Sequence, residues 1–203
     1  ISAEDIDPYV DEATQKGIKV IIVDSGVNTT AIAAEIATDN YAAGVKLGNT
    51  VKEMDVDNIY VGIVNFDENS ANGQEREYGF RDSVLDASRI TIVDTINVDS
   101  NTISTKQGTI ELLSKHPEIN VIVTMNEWTT LGVGYAIEEL ECAGGVQVYG
   151  FDSNTFCLDM LELGYIDGLV IQNPFAMGYL GIEGAYNLYN GIKMEATNID
   201  IQT

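Results

Sequence analysis

The sequence predicts an α/β protein with parallel sheets flanked by helices. Two observations carry this. Apolar runs of strand length alternate with segments of helical periodicity along nearly the whole chain, and such alternation makes right-handed βαβ units. Four of the runs also stop at a polar residue: Asp24 after 20–23, Asn126 after 121–125, Asp152 after 146–151 and Gln172 after 168–171. Ligands of open α/β sheets bind outside the carboxyl ends of the strands. Four polar strand ends therefore suggest one shared pocket.

Residues 4–16 carry Ile6, Tyr9, Val10 and Ala13, the i, i+3, i+4, i+7 spacing of one apolar helical face. Gly17 suits the C-cap of that helix. A strand over 19–24 turns at Ser25-Gly26, a short strand covers 34–38, and Asp39-Asn40 caps a helix running to about residue 54. A polar link, 55–58, precedes a strand over 59–66. The loop 67–73 is rich in Asn, Asp, Ser and Gly and leads into a helix over about 72–87. The alternation repeats as strand 90–98, helix 104–115, strand 121–126, helix 129–141, strand 146–152, helix 155–163 and strand 165–172. Asn173-Pro174 starts a long helix ending near residue 191, with Asn as N-cap and Pro at the first helical position. Gly178, Gly181 and Ala185 suit close packing of this helix on a neighbour, and the helix reads as core. A last strand covers 199–203. The βαβ runs fall into two groups, before and after residue 56.

The chain has 203 residues, 45% hydrophobic and 21% charged, enough for one large domain or two small lobes with proper cores. No apolar run approaches the length of a membrane span, so direct membrane insertion is not expected. The net charge of −22 repels phosphate backbones and anionic lipid heads, which disfavours nucleic-acid and membrane-surface roles. Cys142 and Cys157 form no Cys-x-x-Cys pair and read as free core residues. One His and two separated Cys are too few for a metal centre, and His116 stands before Pro117 at a helix end, a poor place for a nucleophilic triad. No cofactor is expected: Gly132-Val133-Gly134 lies inside a helix pattern rather than between strand and helix, and no phosphate loop occurs.

The segments 36–44 (Ile-Ala-Thr-Asp-Asn-Tyr-Ala-Ala-Gly), Arg76-Glu77-Tyr78-Gly79-Phe80, Gly150-Phe151-Asp152 and Gln172-Asn173-Pro174, in this order and spacing, resemble the ribose-type periplasmic binding proteins. These are the sugar receptors of ABC importers, related to the ligand-binding core of LacI-type repressors. The resemblance covers nearly the whole chain. It implies two Rossmann-like lobes, the type I periplasmic binding protein fold, joined by three crossings and closing on a sugar. The expected lobes are 1–56 with 173–196, and 57–172 with 197–203, with hinges at 55–58, 172–174 and 196–198. Family members begin with a strand, a helix and a second strand before the helix at 4–16. The first lobe is accordingly expected to be incomplete, with a short sheet, exposed edges that a neighbouring chain could cover, and poor ligand affinity.

Carried over position by position, the resemblance makes Asp24, Arg76, Asn126, Asp152 and Gln172 ligand-binding residues, with Ser25 and Phe151 beside them. Two departures set the chain apart from ribose receptors: Ser25 replaces an arginine, and Ser100 stands where a stacking aromatic is expected. The residue types suit the task. A sugar offers neighbouring hydroxyls, and planar side chains with two polar atoms engage two at once. Arg76 offsets part of the charge of Asp24 and Asp152 and stands in the first turn of its helix, where it opposes the helix dipole. Trp128, Phe66 and Phe151 are candidates for an apolar wall. The plainer readings are turn caps for the aspartates, a surface ion pair with Glu75 or Glu77 for Arg76, and core packing for Phe66 and Phe151.

The resulting expectation is a solute-binding module, not an enzyme. It holds a small carbohydrate or polyol between two lobes, partners an ABC permease, and is periplasmic or extracellular, anchored as a lipoprotein in a Gram-positive host. The alternatives are a LacI-type or signalling-receptor sensor domain, and a glycosidase using Asp24 and Asp152 as acid and base.

Overall fold

The structure, a computed structural model, describes residues 3–194 and 198–203. Among these residues the elements are α1 (Ala3–Gln15), β1 (Ile21–Val23), β2 (Ala34–Thr38), α2 (Asn40–Lys52), β3 (Ile59–Phe66), α3 (Ala71–Val84), β4 (Ile90–Val98) and α4 (Thr102–Lys115). There follow β5 (Val121–Thr124), α5 (Glu127–Glu139), β6 (Gln147–Phe151), α6 (Thr155–Glu162), β7 (Gly168–Val170), α7 (Pro174–Tyr189) and β8 (Asn198–Ile201). The predicted α/β alternation holds in order. The strands over 59–66 and 90–98 have the expected bounds.

The chain divides into two compact units. One comprises Ile1–Asp39, Asn69–Asn72 and Gln172–Thr203; the other comprises Asn40–Glu68 and Gly73–Ile171. Every strand pairing in both is parallel. The larger unit holds a five-stranded sheet in the order β4-β3-β5-β6-β7. Its central strands are buried on both faces, as continuous apolar runs in parallel sheets require. Ile59, Val61, Ile63, Val121, Val123 and Met125 face one cluster with Leu47 and Phe80. Val64, Ile122 and Val148 face the other, with Leu131, Ile137 and Met160. Thus α2 and α3 cover one face, and α4, α5 and α6 cover the other.

The smaller unit holds a three-stranded sheet, β1-β2-β8. Its core is a small cluster of Ile36, Met177 and Ile201, with Ile21, Leu180 and Ile199 packed against it. β1 pairs on one side only.

Three expectations need correction. The first crossing falls at residues 39–40 rather than 55–58, because α2 belongs with the larger unit. Its Ala43, Leu47 and Val51 are buried in the cluster built on β3 and β5, and its backbone closes on α3. A Cβ on Gly44 would stand 2.0 Å from the Arg76 carbonyl oxygen, and one on Gly79 would stand 2.0 Å from that of Tyr41. The last strand belongs to the smaller unit rather than to the larger, since β8 pairs with β2 in the register Ile36↔Ile199. Residues 196 and 197 of the third expected hinge lie outside the described residues.

The third correction concerns α7. Only Met177 and Gly184 of this helix are buried. Phe175, Tyr179, Ile182, Tyr186 and Tyr189 form an exposed stripe, from 58% exposed at Tyr179 to 89% at Tyr189. A Cβ on Gly178 would meet nothing within 4 Å, so the close packing expected there is not made. Apolar periodicity shows that a face seeks cover, and among the described residues no element lies over it. A groove of about 670 Å³ runs between this helix and β1, lined by Ile21, Val23, Gly181, Ile182 and Leu188. Among the described residues no helix is long and apolar enough to cross a membrane.

Candidate functional site

In the larger unit the winding of the sheet reverses between β3 and β5. From β3 the chain passes through α3 to β4 on one side, then through α4 to β5 on the other. Such a switch point opens a crevice at the carboxyl ends of the strands. Arg76 lies at that place. It stands in the second turn of α3, not the first, so opposition to the helix dipole does not explain it. Burial does. The side chain is 3% exposed. Its Nε donates to Asn40 Oδ1 at 2.8 Å, and its Nη1 donates to the Met125 carbonyl at 2.7 Å. Its guanidinium carbon lies 4.4 Å from the centre of the Phe151 ring. The surface ion pair with Glu75 or Glu77 is not made; Glu77 instead pairs with Arg81 at 2.7 Å. Arg76 thus ties the helix after β3 to the end of β5 and the end of β6.

Phe151 is fully buried, and Arg76 covers a face of its ring. The expectation that Phe151 lines the ligand directly is corrected accordingly: its ring supports the guanidinium. Phe66, packed against the core cluster, fits the core reading. Trp128 is 46% exposed in the first turn of α5.

Asn126 leaves β5 as the N-cap of α5. Its Oδ1 accepts from the Thr129 amide at 2.9 Å, and its own amide donates to Thr129 Oγ1 at 3.1 Å, a reciprocal cap. Its Nδ2 donates to Ser100 Oγ at 2.7 Å. Ser100, noted in the sequence only as a departure, is therefore a neighbour of Asn126. Asp152 follows β6 in the left-handed region, φ 72°, with its amide donating to Val170 O at 2.9 Å. Asp tolerates that region better than most residues, and backbone strain gathers at ligand sites.

The smaller unit repeats the motif. Asp24 follows β1 with φ 75°, its amide donating to Ile36 O at 3.0 Å. Ser25 Oγ lies 3.4 Å from Asp24 Oδ2 and accepts from Asn72 Nδ2 at 3.5 Å. Gln172 Oε1 accepts from Thr38 Oγ1 at 2.8 Å, at the end of β2. Arg76, Asn126, Phe151 and Asp152 thus gather at adjacent strand ends of the larger unit, and Asp24, Ser25 and Gln172 belong to the smaller one. Thr38, Asn40 and the role of Ser100 were missed by the sequence reading. No local pattern signals them, since their partners lie 134, 36 and 26 positions away.

Other reactive groups are otherwise engaged. Both cysteines are free. Burial, then the nearby charges of Glu127 and Asp152, pushes the Cys157 thiol up to about 12, so it stays protonated and is no nucleophile at neutral pH. His116 Nε2 lies 3.0 Å from Asp94 Oδ2 and precedes β5 rather than following a strand. Among the described residues no cluster of His, Cys, Asp or Glu could hold a metal ion.

Comparison with known proteins is consistent with this geometry. The periplasmic binding protein domain family matches residues 1–193. This chain belongs to that family. The D-allose-binding periplasmic protein of Escherichia coli K12 is 26% identical over 182 residues, covering 86% of this chain and 58% of that protein. The ribose import binding protein of Haemophilus influenzae is 26% identical over 184 residues, covering 91% of this chain and 62% of that protein. A carbohydrate transporter solute binding protein from Agrobacterium radiobacter, crystallised with D-arabinose, superposes with a TM-score of 0.88 at 31% identity, covering 95% of this chain and 66% of that one. This family member therefore spans about three fifths of the length of the two curated relatives. The fold expected from the sequence, Rossmann-like units with parallel sheets between helices, is the fold of these proteins.

Proposed function

We propose that this chain is the ligand-binding part of a solute-binding component of an ABC-type importer, taking a small carbohydrate or polyol without chemical conversion. Arg76 carries the reading: a buried guanidinium set on the switch point of the larger sheet, bonded to the end of β5 and stacked on the end of β6. Beside it, Asn126 and Asp152 offer amide and carboxylate groups. Asp24, Ser25 and Gln172 offer the same chemistry from the smaller unit. Carboxylate, guanidinium and amide groups are the planar partners that neighbouring sugar hydroxyls require. The names of the relatives, which bind allose, ribose and arabinose, support a pentose or hexose.

Transport rather than catalysis fits the groups present. The Cys157 thiol is unreactive, and His116 is bonded to Asp94. The partner in this reading is an ABC permease, and the location is periplasmic or extracellular, with a lipoprotein anchor in a Gram-positive host. No specific observation favours the regulator, signalling-receptor or glycosidase readings.

Calorimetry and thermal shift with D-ribose, D-allose, D-arabinose and related polyols at millimolar concentration test the proposal. At least one sugar is expected to bind and to be recovered unchanged. Asp152→Ala is expected to weaken it by about tenfold to a hundredfold, the worth of charge-assisted hydrogen bonds. Silence across the whole panel, or appearance of a reaction product, sinks the reading.

A further inference from the structure

The strand ends that carry Asn126 and Asp152 are joined by one buried hydroxyl. β5 pairs with β6 only as far as Val123↔Tyr149, because the chain then turns into α5. On its other side β6 continues to pair with β7 at Phe151↔Val170. The Phe151 amide and carbonyl on the β5 side have therefore lost their strand partner. Thr130 supplies one. Its Oγ1 lies 3.0 Å from both Phe151 N and Phe151 O, 2.7 Å from Asn126 O and 2.7 Å from Thr124 Oγ1.

A hydroxyl has one proton to give and two lone pairs. Thr130 accepts from the Phe151 amide and the Thr124 hydroxyl, and donates to the Asn126 or Phe151 carbonyl. Its capacity is filled, and both threonines are fully buried. Gly150 is a second, independent sign. A Cβ there would stand 2.2 Å from Thr124 Oγ1 and 2.4 Å from Thr130 Oγ1. The glycine of the Gly150-Phe151-Asp152 motif thus leaves room for the hydroxyl pair.

We propose that Thr130 is a positioning residue: it holds the turn bearing Asn126 and the turn bearing Asp152 at a fixed separation, so that the two side chains serve neighbouring hydroxyls of one ligand. The ligand clause rests on the sugar-binding reading above. Thr130 touches no ligand itself. It extends the sheet by one rung, with a side chain in place of a strand.

The test compares Thr130→Val, Thr130→Ser and Thr109→Val with the parent protein. Val keeps the shape and removes the hydroxyl; Ser restores it. Thr109 is an equally buried threonine of α4 whose hydroxyl bonds only within its own helix, to Thr105 O. Residue-resolved hydrogen exchange is the first readout and needs no ligand. Thr130→Val is expected to raise exchange at the Phe151 and Asp152 amides by about tenfold over the rest of the unit, Thr130→Ser to stay near the parent, and Thr109→Val to show no such focus.

Affinity for whichever of D-ribose, D-allose or D-arabinose binds is the second readout, taken where all variants are folded. A loss of about tenfold is expected for Thr130→Val alone. Parent-like exchange at 151 and 152, or a lower melting temperature with unchanged affinity, overturns the proposal. If the parent takes no sugar, the sugar reading fails, and the exchange pattern still decides whether Thr130 positions the turns. If Thr130→Val does not fold, Thr124→Val takes its place, with about threefold effects at the same amides expected and none overturning the proposal.

Discussion

Asp24 and Asp152 make the same backbone move in two different settings. Each is the first residue past a parallel strand, each is left-handed (φ 75° and 72°), and each donates its amide to the neighbouring strand. Around Asp152 the sheet has five strands, both faces are covered, and a buried threonine replaces the missing rung. Around Asp24 the sheet has three strands, β1 is an edge of three residues, and Val23 beside it is exposed. Local sequence makes the turn; the depth of packing behind it decides how firmly it is held. The larger unit is therefore expected to be the stiffer host for its carboxylate.

The sharpest way to break this contrast uses two glycines. In the larger unit, Gly44→Ala drives a methyl to 2.0 Å from the Arg76 carbonyl. Backbone cannot yield there without separating α2 from α3. A loss of about 3 kcal/mol or more is expected, at the upper end for overpacking, read by urea unfolding of the larger unit. A loss below about 1 kcal/mol would mean that the two helices are not locked together.

Next in size is Arg76→Met. It leaves Asn40 Oδ1 and the Met125 carbonyl without their charged donor. Hydrogen bonds to charged groups are worth about 1.5–3 kcal/mol each, and stranded buried acceptors cost more than the bond itself. A loss of about 2–3 kcal/mol is expected, together with loss of sugar binding. Retained stability with lost binding would make Arg76 a ligand contact alone and weaken its part in fixing the crevice.

In the smaller unit the matching glycine change runs the other way. Gly178→Ala meets nothing within 4 Å, and Ala in a helix interior is favoured over Gly by about 0.5–1 kcal/mol. A small rise in melting temperature is expected. A clear fall would show that something closes on that face of α7 in solution.

The contrast also explains what the sequence could and could not say. Strand β3 was legible from end to end, because a strand buried on both faces writes a nearly continuous apolar run; β4, a half-buried edge strand, was legible from its β-branched residues Ile90, Thr91, Ile92, Val93, Thr95, Ile96 and Val98. β7 covers only 168–170 of the expected 165–172; Asp167 just before it donates its amide to Val148 O at 2.8 Å, and its carboxylate accepts from the Val148 amide at 2.8 Å. Asp24 and Asp152 were legible as strand ends. Arg76 was legible as a site residue but not as a buried one, since Asn40 and Met125 lie 36 and 49 positions away. Thr130 reads as an ordinary helical threonine; its partner strand is 21 residues on. The periodicity of α7 was legible too, but a pattern shows that a face is apolar, not what lies over it. The place of α2 was misread for a related reason: the polar link 55–58 looked like a boundary, while the decisive contact is backbone on backbone at Gly44 and Gly79.

The smallest effect concerns surface charge on the larger unit. Lys115, then the Thr95 amide, holds the Asp94 carboxyl at about 2, below its usual value of 3.8. A depressed carboxylate stabilises the fold above its unfolded value and loses that contribution as pH falls through the folded one. The window is therefore about pH 4 down to about pH 2. Lys115 is 70% exposed and Asp94 30%, so solvent screens the pair and only about 0.5 kcal/mol is expected from it. Lys115→Met should cost that much at pH 6 and nothing below pH 2, as measured by urea unfolding at the two pH values. A gap that persists in acid would assign the effect to packing of the lysine stem rather than to charge.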